Sequence, residues 1–187
     1  MMTKTRKTTW AVLRSDPEEI FRTVVRKGAA DLLKSILSPD TCRACKNCCV
    51  FEPQSAWELP TFLPESCIRI GLTDGEAACA RYRIALRYDE TGAARNCPFL
   101  DPETGCTLPA EEKPFACSIW PLRVMRMEDG RLVFAVYRGC SGLPEEKFPA
   151  LEQLLADGLK ARIYEEMEKD ATLVLPYHPN YHILDVR

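Results

Sequence analysis

The sequence predicts a small α+β domain that has a helix near each end, short β-hairpins between the helices, and long loops that carry cysteines. Two segments repeat apolar residues at helical spacing, one before residue 38 and one after residue 143. Between them, two glycine-containing turn signals follow short apolar runs and predict hairpins. The 187 residues are 46% hydrophobic, so the chain can bury a core, and we expect a single domain over residues 1–187.

The composition argues against two classes of partner. Lys and Arg total 25 while Asp and Glu total 27, so the net charge of -2 gives no basic bias toward nucleic acid. The sequence contains no apolar run near the roughly 18 residues that a membrane span requires. Residues 1–14 lack the apolar core of a signal peptide, and we interpret them as a flexible tail. The expected location is therefore the cytoplasm, with neither nucleic acid nor membrane as a partner.

The first predicted helix begins near Ser15. Ser15-Asp16-Pro17 supplies a cap and a proline for the first turn, and acidic residues follow at the positive end of the helix dipole. Apolar side chains continue at helical spacing to Leu37, and Ser38-Pro39-Asp40 ends the pattern. This helix is expected to face the core and to lead the chain directly into its densest group of cysteines.

Four of the ten cysteines lie within eight residues, where Cys42, Cys45, Cys48 and Cys49 form a CxxCxxCC pattern. Clustering of this kind is typical of metal sites, and in the expected compartment the thiols are reduced rather than paired in disulfides. Cys42, Cys45 and Cys49 also fit one face of a helix. Because the residues between them are polar, that face would be a poor apolar stripe, and a metal-binding loop is the better prediction.

Short strands and turns are predicted between this cluster and the last helix. Ile84–Tyr88 is followed by an Asp-Glu-Thr-Gly turn, which predicts a hairpin whose second strand runs into Cys97. A second hairpin is predicted for Leu122–Met127 and Leu132–Tyr137, which Glu128–Arg131 connects. Three other residues of this part are interpreted as packing residues: Trp57, Cys67 and Cys79.

The second predicted helix covers residues 144–170 and has an apolar face, although Gly158 inside it weakens the pattern. Leu173–Pro176 predicts a further strand. His178 and His182 are interpreted as structural or solvent-facing, because Pro179 between them disfavours the helix that would align their imidazoles.

Eight cysteines are candidate metal ligands, because four further thiols follow the cluster at turn and loop positions. They are Cys42, Cys45, Cys48, Cys49, Cys97, Cys106, Cys117 and Cys140. Eight thiolates would fill two tetrahedral zinc sites or two four-cysteine iron–sulfur clusters, and one site with spare thiols is also compatible. The adjacent Cys48 and Cys49 are expected to point in different directions and so not to serve one ion. Metal would then tie together the loops of a module spanning residues 42–140.

The local pattern favours an iron–sulfur cluster, most simply of the 4Fe-4S type, over Zn2+. C-x2-C-x2-C matches the first three ligands of a bacterial ferredoxin-type run, in which a Cys-Pro pair follows. Glu52-Pro53 occupies that position here, and Cys97-Pro98 offers a Cys-Pro pair from a remote loop. The two C-x2-C knuckles of a zinc ribbon, roughly 15 to 20 residues apart, are missing from the pattern. Zinc is the alternative.

The cysteine pattern resembles that of the YkgJ-type family of CxxCxxCC cysteine-cluster proteins, which is described as zinc- or iron-chelating. The resemblance covers Cys42 to Cys140, about half of the chain. It rests on the cluster, Cys97-Pro98-Phe99-Leu100, Gly105-Cys106, Pro114-x2-Cys117-x3-Pro121 and Cys140-Ser141-Gly142. The chain departs from the family pattern at Ser118, where Arg is usual, and at Cys106–Pro109, where the family has Cys-x-Ile-Tyr and one residue fewer before Cys117.

This resemblance implies metal binding and leaves three functions open. The first is a metal-binding module whose metal organises the loops, either a purely structural zinc module or one with a cluster, and the second is redox or electron transfer through an iron–sulfur centre. The third is a cluster-dependent modifying enzyme, since flagellin lysine-N-methylases carry a similar cysteine cluster. The sequence shows no G-x-G-x-x-G after a strand, no P-loop and no Gly-x-Ser-x-Gly elbow, so no catalytic residue or nucleotide pocket is predicted.

Overall fold

The computed structural model describes residues 33–52, 57–62, 82–83, 95–109 and 112–184. These residues form short helices and small sheets, which confirms the predicted α+β class. The helices are α1 Pro39–Cys45, α2 Phe115–Ser118, α3 Phe148–Leu154 and α4 Lys160–Lys169. The strands are β1 Val50–Phe51, β2 Thr61–Phe62, β3 Tyr82–Arg83, β4 Arg95–Asn96, β5 Leu100–Asp101, β6 Gly105–Cys106, β7 Leu122–Arg126, β8 Leu132–Tyr137, β9 Val174–Pro176 and β10 Tyr181–Ile183. Among the described residues, no helix has the length and apolar composition needed to cross a lipid bilayer.

The largest sheet has four strands in the order β10-β8-β7-β9. β7 and β8 are antiparallel neighbours, so the hairpin predicted around Glu128–Arg131 is confirmed. The Asp129 carboxylate closes its turn by accepting hydrogen bonds from the backbone N of Arg131 at 3.0 Å and from its Nε at 2.7 Å. β9 pairs in parallel with β7, and β10 pairs antiparallel with β8. The strand predicted at Leu173–Pro176 is thus present as β9, and the C-terminal segment completes both edges of the sheet.

α3 and α4 pack on one face of this sheet. They correspond to the helix predicted over residues 144–170, and a wider turn at Leu155–Leu159 joins them. Gly158 in that turn has φ of 125°, a conformation that glycine adopts far more readily than other residues. The main core between helices and sheet consists of Leu33, Leu37, Ile119, Leu122, Val124, Phe134, Val136, Leu143, Phe148, Leu151, Leu155, Leu159, Ile163 and Leu184.

The opposite face of the sheet carries a second, smaller core cluster. Met125, Ala135, Leu175 and Tyr181 are buried there, and further aromatic side chains pack against them. Because successive side chains of a strand point to opposite faces, Arg123 of β7 shares this face with Met125. This face therefore receives the buried arginine of β7.

The cysteine-bearing half is built from pairs of two-residue strands, β1 with β4, β2 with β3, and β5 with β6. The strand predicted to run into Cys97 is present as β4, but its partner in the described residues is β1, which directly follows the CxxCxxCC cluster. Its expected partner, Ile84–Tyr88, lies outside the described residues, as do Cys67, Cys79 and most of the first predicted helix.

The prediction of a loop at residues 42–49 is wrong. Pro39–Cys45 forms α1, and Asn47–Cys49 forms a 3-10 turn. Pro39, which ends the preceding helical pattern, also lies in the first turn of α1, where its fixed φ favours the helix and its missing N–H costs no hydrogen bond. Lys46 ends α1 in the left-handed conformation with φ of 54°. The cluster therefore lies on two successive helical turns.

Candidate metal centre

All eight predicted ligand cysteines are among the described residues, and each is a free thiol. They come from six places: α1, the 3-10 turn, the residue after β4, β6, α2 and the segment after β8. Electrostatic interactions connect them, because the thiol of Cys48 acts on the pKa values of four others: Cys42, Cys97, Cys117 and Cys140. The fold therefore brings thiols from distant parts of the sequence together around Cys48.

Long-range hydrogen bonds hold the cluster next to the later cysteines. The backbone N–H of Cys97 donates to the carbonyl of Cys49 at 2.7 Å and so extends the β1–β4 pair by one residue. The ammonium group of Lys46 donates to the carbonyl of Pro102, in the turn between β5 and β6. That turn leads directly into Cys106, so the end of α1 and the β5–β6 hairpin are fixed to each other.

Cys42, Cys45, Cys48 and Cys140 line one small cavity, and we refer to them as the helix group. Burial raises the pKa of Cys42, and the neighbouring thiols of Cys48, Cys140 and Cys45 raise it further. Burial also raises the pKa of Cys140, while the backbone N–H of Gly142 opposes this effect. Thiols that raise one another's pKa in this way would repel as thiolates, and a bound cation would relieve the repulsion.

Cys49, Cys97, Cys106 and Cys117 line a second and larger cavity of about 380 Å³, and we refer to them as the cavity group. Burial raises the pKa of Cys97 to about 11 and that of Cys117 to about 12. The guanidinium of Arg123 opposes burial by lowering the pKa of Cys117. Because the thiolate is the form that binds metal, the positive charge of Arg123 favours ligation by this group.

Cys48 lies where the two groups meet, since it lines both cavities. Its sulfur is 3.9 Å from the sulfur of Cys49, so the prediction that these neighbours point in different directions is wrong. Their side-chain rotamers turn the two sulfurs toward each other. The contact is the largest cause of the raised pKa of Cys48, and burial is the second.

The thiols are gathered but do not form a closed coordination shell. In the part of the chain that the structure describes, no three or more Cys, His, Asp or Glu side chains are arranged to hold an ion. The donor chemistry fits a metal centre, because sulfur ligands are those that zinc and iron–sulfur clusters use. The two tail histidines pack on aromatic rings instead. The ring centroids of His178 and Trp57 are 5.3 Å apart, and those of His182 and Phe148 are 5.0 Å apart.

The remaining wall of the larger cavity contains residues that no motif in the sequence identifies. Arg123 is only 5% exposed and lines this cavity together with Trp57, Trp120 and Tyr137. The sequence signal for Arg123 is an arginine directly between the apolar Leu122 and Val124. Such a residue is costly to bury unless it has a function or a partner.

Glu58 contributes a carboxyl group to the same wall. The hydroxyl of Tyr181 donates a hydrogen bond to Glu58 Oε2 at 2.8 Å. Burial raises the pKa of Glu58, while this hydrogen bond and the charge of Arg123 oppose the rise. Burial likewise raises the pKa of Tyr181. The pair therefore keeps its protons at higher pH than exposed Glu and Tyr side chains do.

The chain matches no protein-family model, no curated protein and no solved structure. The resemblance to CxxCxxCC proteins thus stays a prediction that rests on the cysteine motifs. The function is therefore inferred from the geometry of the described residues, and in particular from the convergence of the eight thiols.

Proposed function

We propose that this protein binds a metal centre through the cysteines of the helix group and the cavity group, with an iron–sulfur cluster favoured and zinc as the alternative. The observation that carries this proposal is the convergence of eight free thiols, from six separate places in the chain, onto two cavities that share Cys48. Thiolate sulfur is the donor that both kinds of centre prefer.

The number of the thiols and their sequence pattern support an iron–sulfur centre. Each group contains four cysteines, which is the number that a cubane cluster or a tetrahedral zinc ion takes. The C-x2-C-x2-C pattern of Cys42, Cys45 and Cys48 matches the first three ligands of a bacterial ferredoxin-type run and so favours the cluster.

The residues of the chain would bind the centre and set its electrostatic surroundings. The guanidinium of Arg123 lowers the pKa values of Cys48 and Cys117 and so favours their thiolate forms. An iron–sulfur cluster, when bound, would supply one-electron redox chemistry, which makes electron transfer the function most directly implied. The cytoplasm suits this proposal, because its reducing conditions keep thiols available as ligands.

Anaerobic purification followed by iron, zinc and acid-labile sulfide analysis tests the proposal. We expect iron and sulfide in similar amounts, together with visible charge-transfer absorption that a reductant bleaches. Zinc without sulfide or colour would select the alternative cofactor. Protein that carries neither metal would overturn the proposed function.

Cys45→Ser tests the assignment of the ligands. Serine retains nearly the size of cysteine but removes the thiolate, so we expect this variant to lose metal and its region to lose stability, since metal binding couples to folding. The matched control is Cys67→Ser, which changes a cysteine outside the predicted ligand set and is expected to retain the full metal content. Equal metal content in the two variants would contradict the assignment.

A further inference from the structure

A buried arginine in the wall of the larger cavity leaves part of its hydrogen-bonding capacity unused. Nη1 of Arg123 donates to the carbonyls of Ala116 at 2.6 Å and Leu122 at 3.1 Å. Nε of Arg123 is buried and has no hydrogen-bond partner among the described residues. Nη2 forms no hydrogen bond with the described residues. Because a guanidinium has donors on all three nitrogens, the edge formed by Nε and Nη2 remains available for a planar acceptor.

Arg123 also forms no ion pair among the described residues. Glu58 shares the cavity and interacts with the charge of Arg123, but it accepts a hydrogen bond from Tyr181 and not from the guanidinium. The thiols of Cys48 and Cys117 interact with the charge too, yet in the described part of the chain neither accepts a hydrogen bond from the guanidinium. Burying a charge without a direct ion pair is unfavourable, so this position suits a ligand that brings a negative charge.

Aromatic side chains surround the guanidinium. Cζ of Arg123 lies 4.5 Å from the ring centroid of Trp120, and the Trp120 and Tyr137 rings are 5.3 Å apart. Trp57 also lines the cavity, and its charged lining residues are Lys113 and Arg123 together with Glu52 and Glu58. A volume of about 380 Å³ lies within the range of sites for small organic molecules.

We propose that this cavity binds a small organic carboxylate with an aromatic or similarly apolar body, and that Arg123 is its counter-charge. The carboxylate accepts two parallel hydrogen bonds from the Nε–Nη2 edge, and the body packs against Trp57, Trp120 and Tyr137. The planar fork matches a carboxylate, while the aromatic walls disfavour a strongly hydrated inorganic anion. This site goes beyond the proposed metal binding, because its binding energy comes from residues outside the ligand set.

Benzoate and its neutral analogue benzamide test this proposal by calorimetric titration of the full chain. We expect benzoate to bind about 10-fold or more tightly than benzamide, because hydrogen bonds to a charged acceptor are stronger than neutral ones. Arg123→Gln is expected to weaken benzoate binding about 10-fold or more and to leave benzamide binding unchanged. The matched control Arg126→Gln removes an exposed arginine of the same strand that does not line the cavity, and should change neither affinity.

A second variant and a wild-type measurement protect the test against misfolding of Arg123→Gln. Arg123→Lys keeps the charge without the planar fork and is expected to bind benzoate with an affinity between those of the wild type and Arg123→Gln. In the wild type, the NMR signal of the Arg123 Nε–H should shift on addition of benzoate but not of benzamide. Equal affinity for the two probes, binding of neither, or tighter binding of inorganic phosphate than of benzoate would overturn the carboxylate site.

Metal and sulfide content measured on the same preparations separates this site from the proposed function. Benzoate binding that depends on Arg123 in protein without metal would support the carboxylate site and count against the metal proposal. Full metal content in protein that binds benzoate no more tightly than benzamide would support the metal proposal and count against the carboxylate site.

Discussion

Two regions of the molecule differ in how their side chains are buried. The sheet region, residues 115–184, contains the four-stranded sheet with α3 and α4, and the largest fully buried side chains of the described residues lie between Pro121 and Tyr181. The cysteine region, residues 33–52, 57–62 and 95–109, has only two-residue strands in its described part. Three of its thiols, those of Cys42, Cys45 and Cys106, are exposed.

Because of this difference, we expect the two regions to be stabilised by different interactions. Burying a Leu or Ile side chain completely contributes about 1.5–3 kcal/mol, so the sheet region can fold on apolar burial. A pair of two-residue strands buries little surface and forms few hydrogen bonds, and isolated hairpins are marginal in water. We therefore expect the cysteine region to depend on cross-links through bound metal, and three predictions test this contrast.

The largest effect is expected for Leu151→Ala in the sheet region. Leu151 is fully buried in α3, so its truncation should lower the free energy of unfolding by about 2–5 kcal/mol. The control is Leu132→Ala, which removes a side chain that is 39% exposed and should change stability by less than about 0.5 kcal/mol. Urea unfolding of both variants measures the difference. Similar losses would mean that burial in this core does not dominate stability.

Two glycine substitutions introduce the same backbone strain into each region, so that their effects on the free energy of unfolding can be compared. Gly105 in the β5–β6 hairpin and Gly130 in the β7–β8 hairpin have φ of 88° and 85°, where alanine costs about 1–2 kcal/mol. Gly130→Ala should lower the free energy of global unfolding by about that amount, because its hairpin belongs to the main sheet. Gly105→Ala should leave urea unfolding nearly unchanged and speed the release of metal to a chelator. Equal loss of global stability would show that the two regions unfold together.

The smallest effect concerns thiol reactivity in metal-free, reduced protein. Cys45 is exposed, whereas burial raises the pKa of Cys117 to about 12 and keeps it in the unreactive thiol form. We expect Cys45 to react with iodoacetamide about 10-fold or more faster than Cys117. Mass spectrometry of peptides sampled over time gives both rates. Comparable rates would contradict the contrast in burial between the two thiols.

Local signals in the sequence were sufficient for part of the sheet region. The turn at Glu128–Arg131 predicted the β7–β8 hairpin, and apolar spacing located the segment that forms α3 and α4. Pairings between distant segments were not accessible, because β1 with β4 and β7 with β9 depend on tertiary packing. Pro39 was ambiguous for a different reason, since a proline can follow one helix and begin another.

The candidate site also has a part that the sequence could predict and a part that it could not. The cysteines that line the two cavities could be selected from residue type and motif, because clustered thiols have few other uses in a reducing compartment. The approach of the Cys48 and Cys49 sulfurs depends on rotamers that a sequence does not specify. The location of Arg123 beside the thiols could not be predicted, because it follows from which face of β7 meets the cavity.

The β7–β8 hairpin carries one cysteine just before its first strand and one just after its second. Cys117 belongs to the cavity group and Cys140 to the helix group, so each group has one thiol attached to the most deeply buried sheet. Local unfolding of the two-residue strand pairs and of the helical turns would release the other thiols one at a time. The thiols of Cys117 and Cys140 would stay in place until the sheet unfolds. For the proposed metal centre, the final step of metal loss would then be as slow as global unfolding, and a centre that had lost some ligands could be rebuilt at the same two anchors.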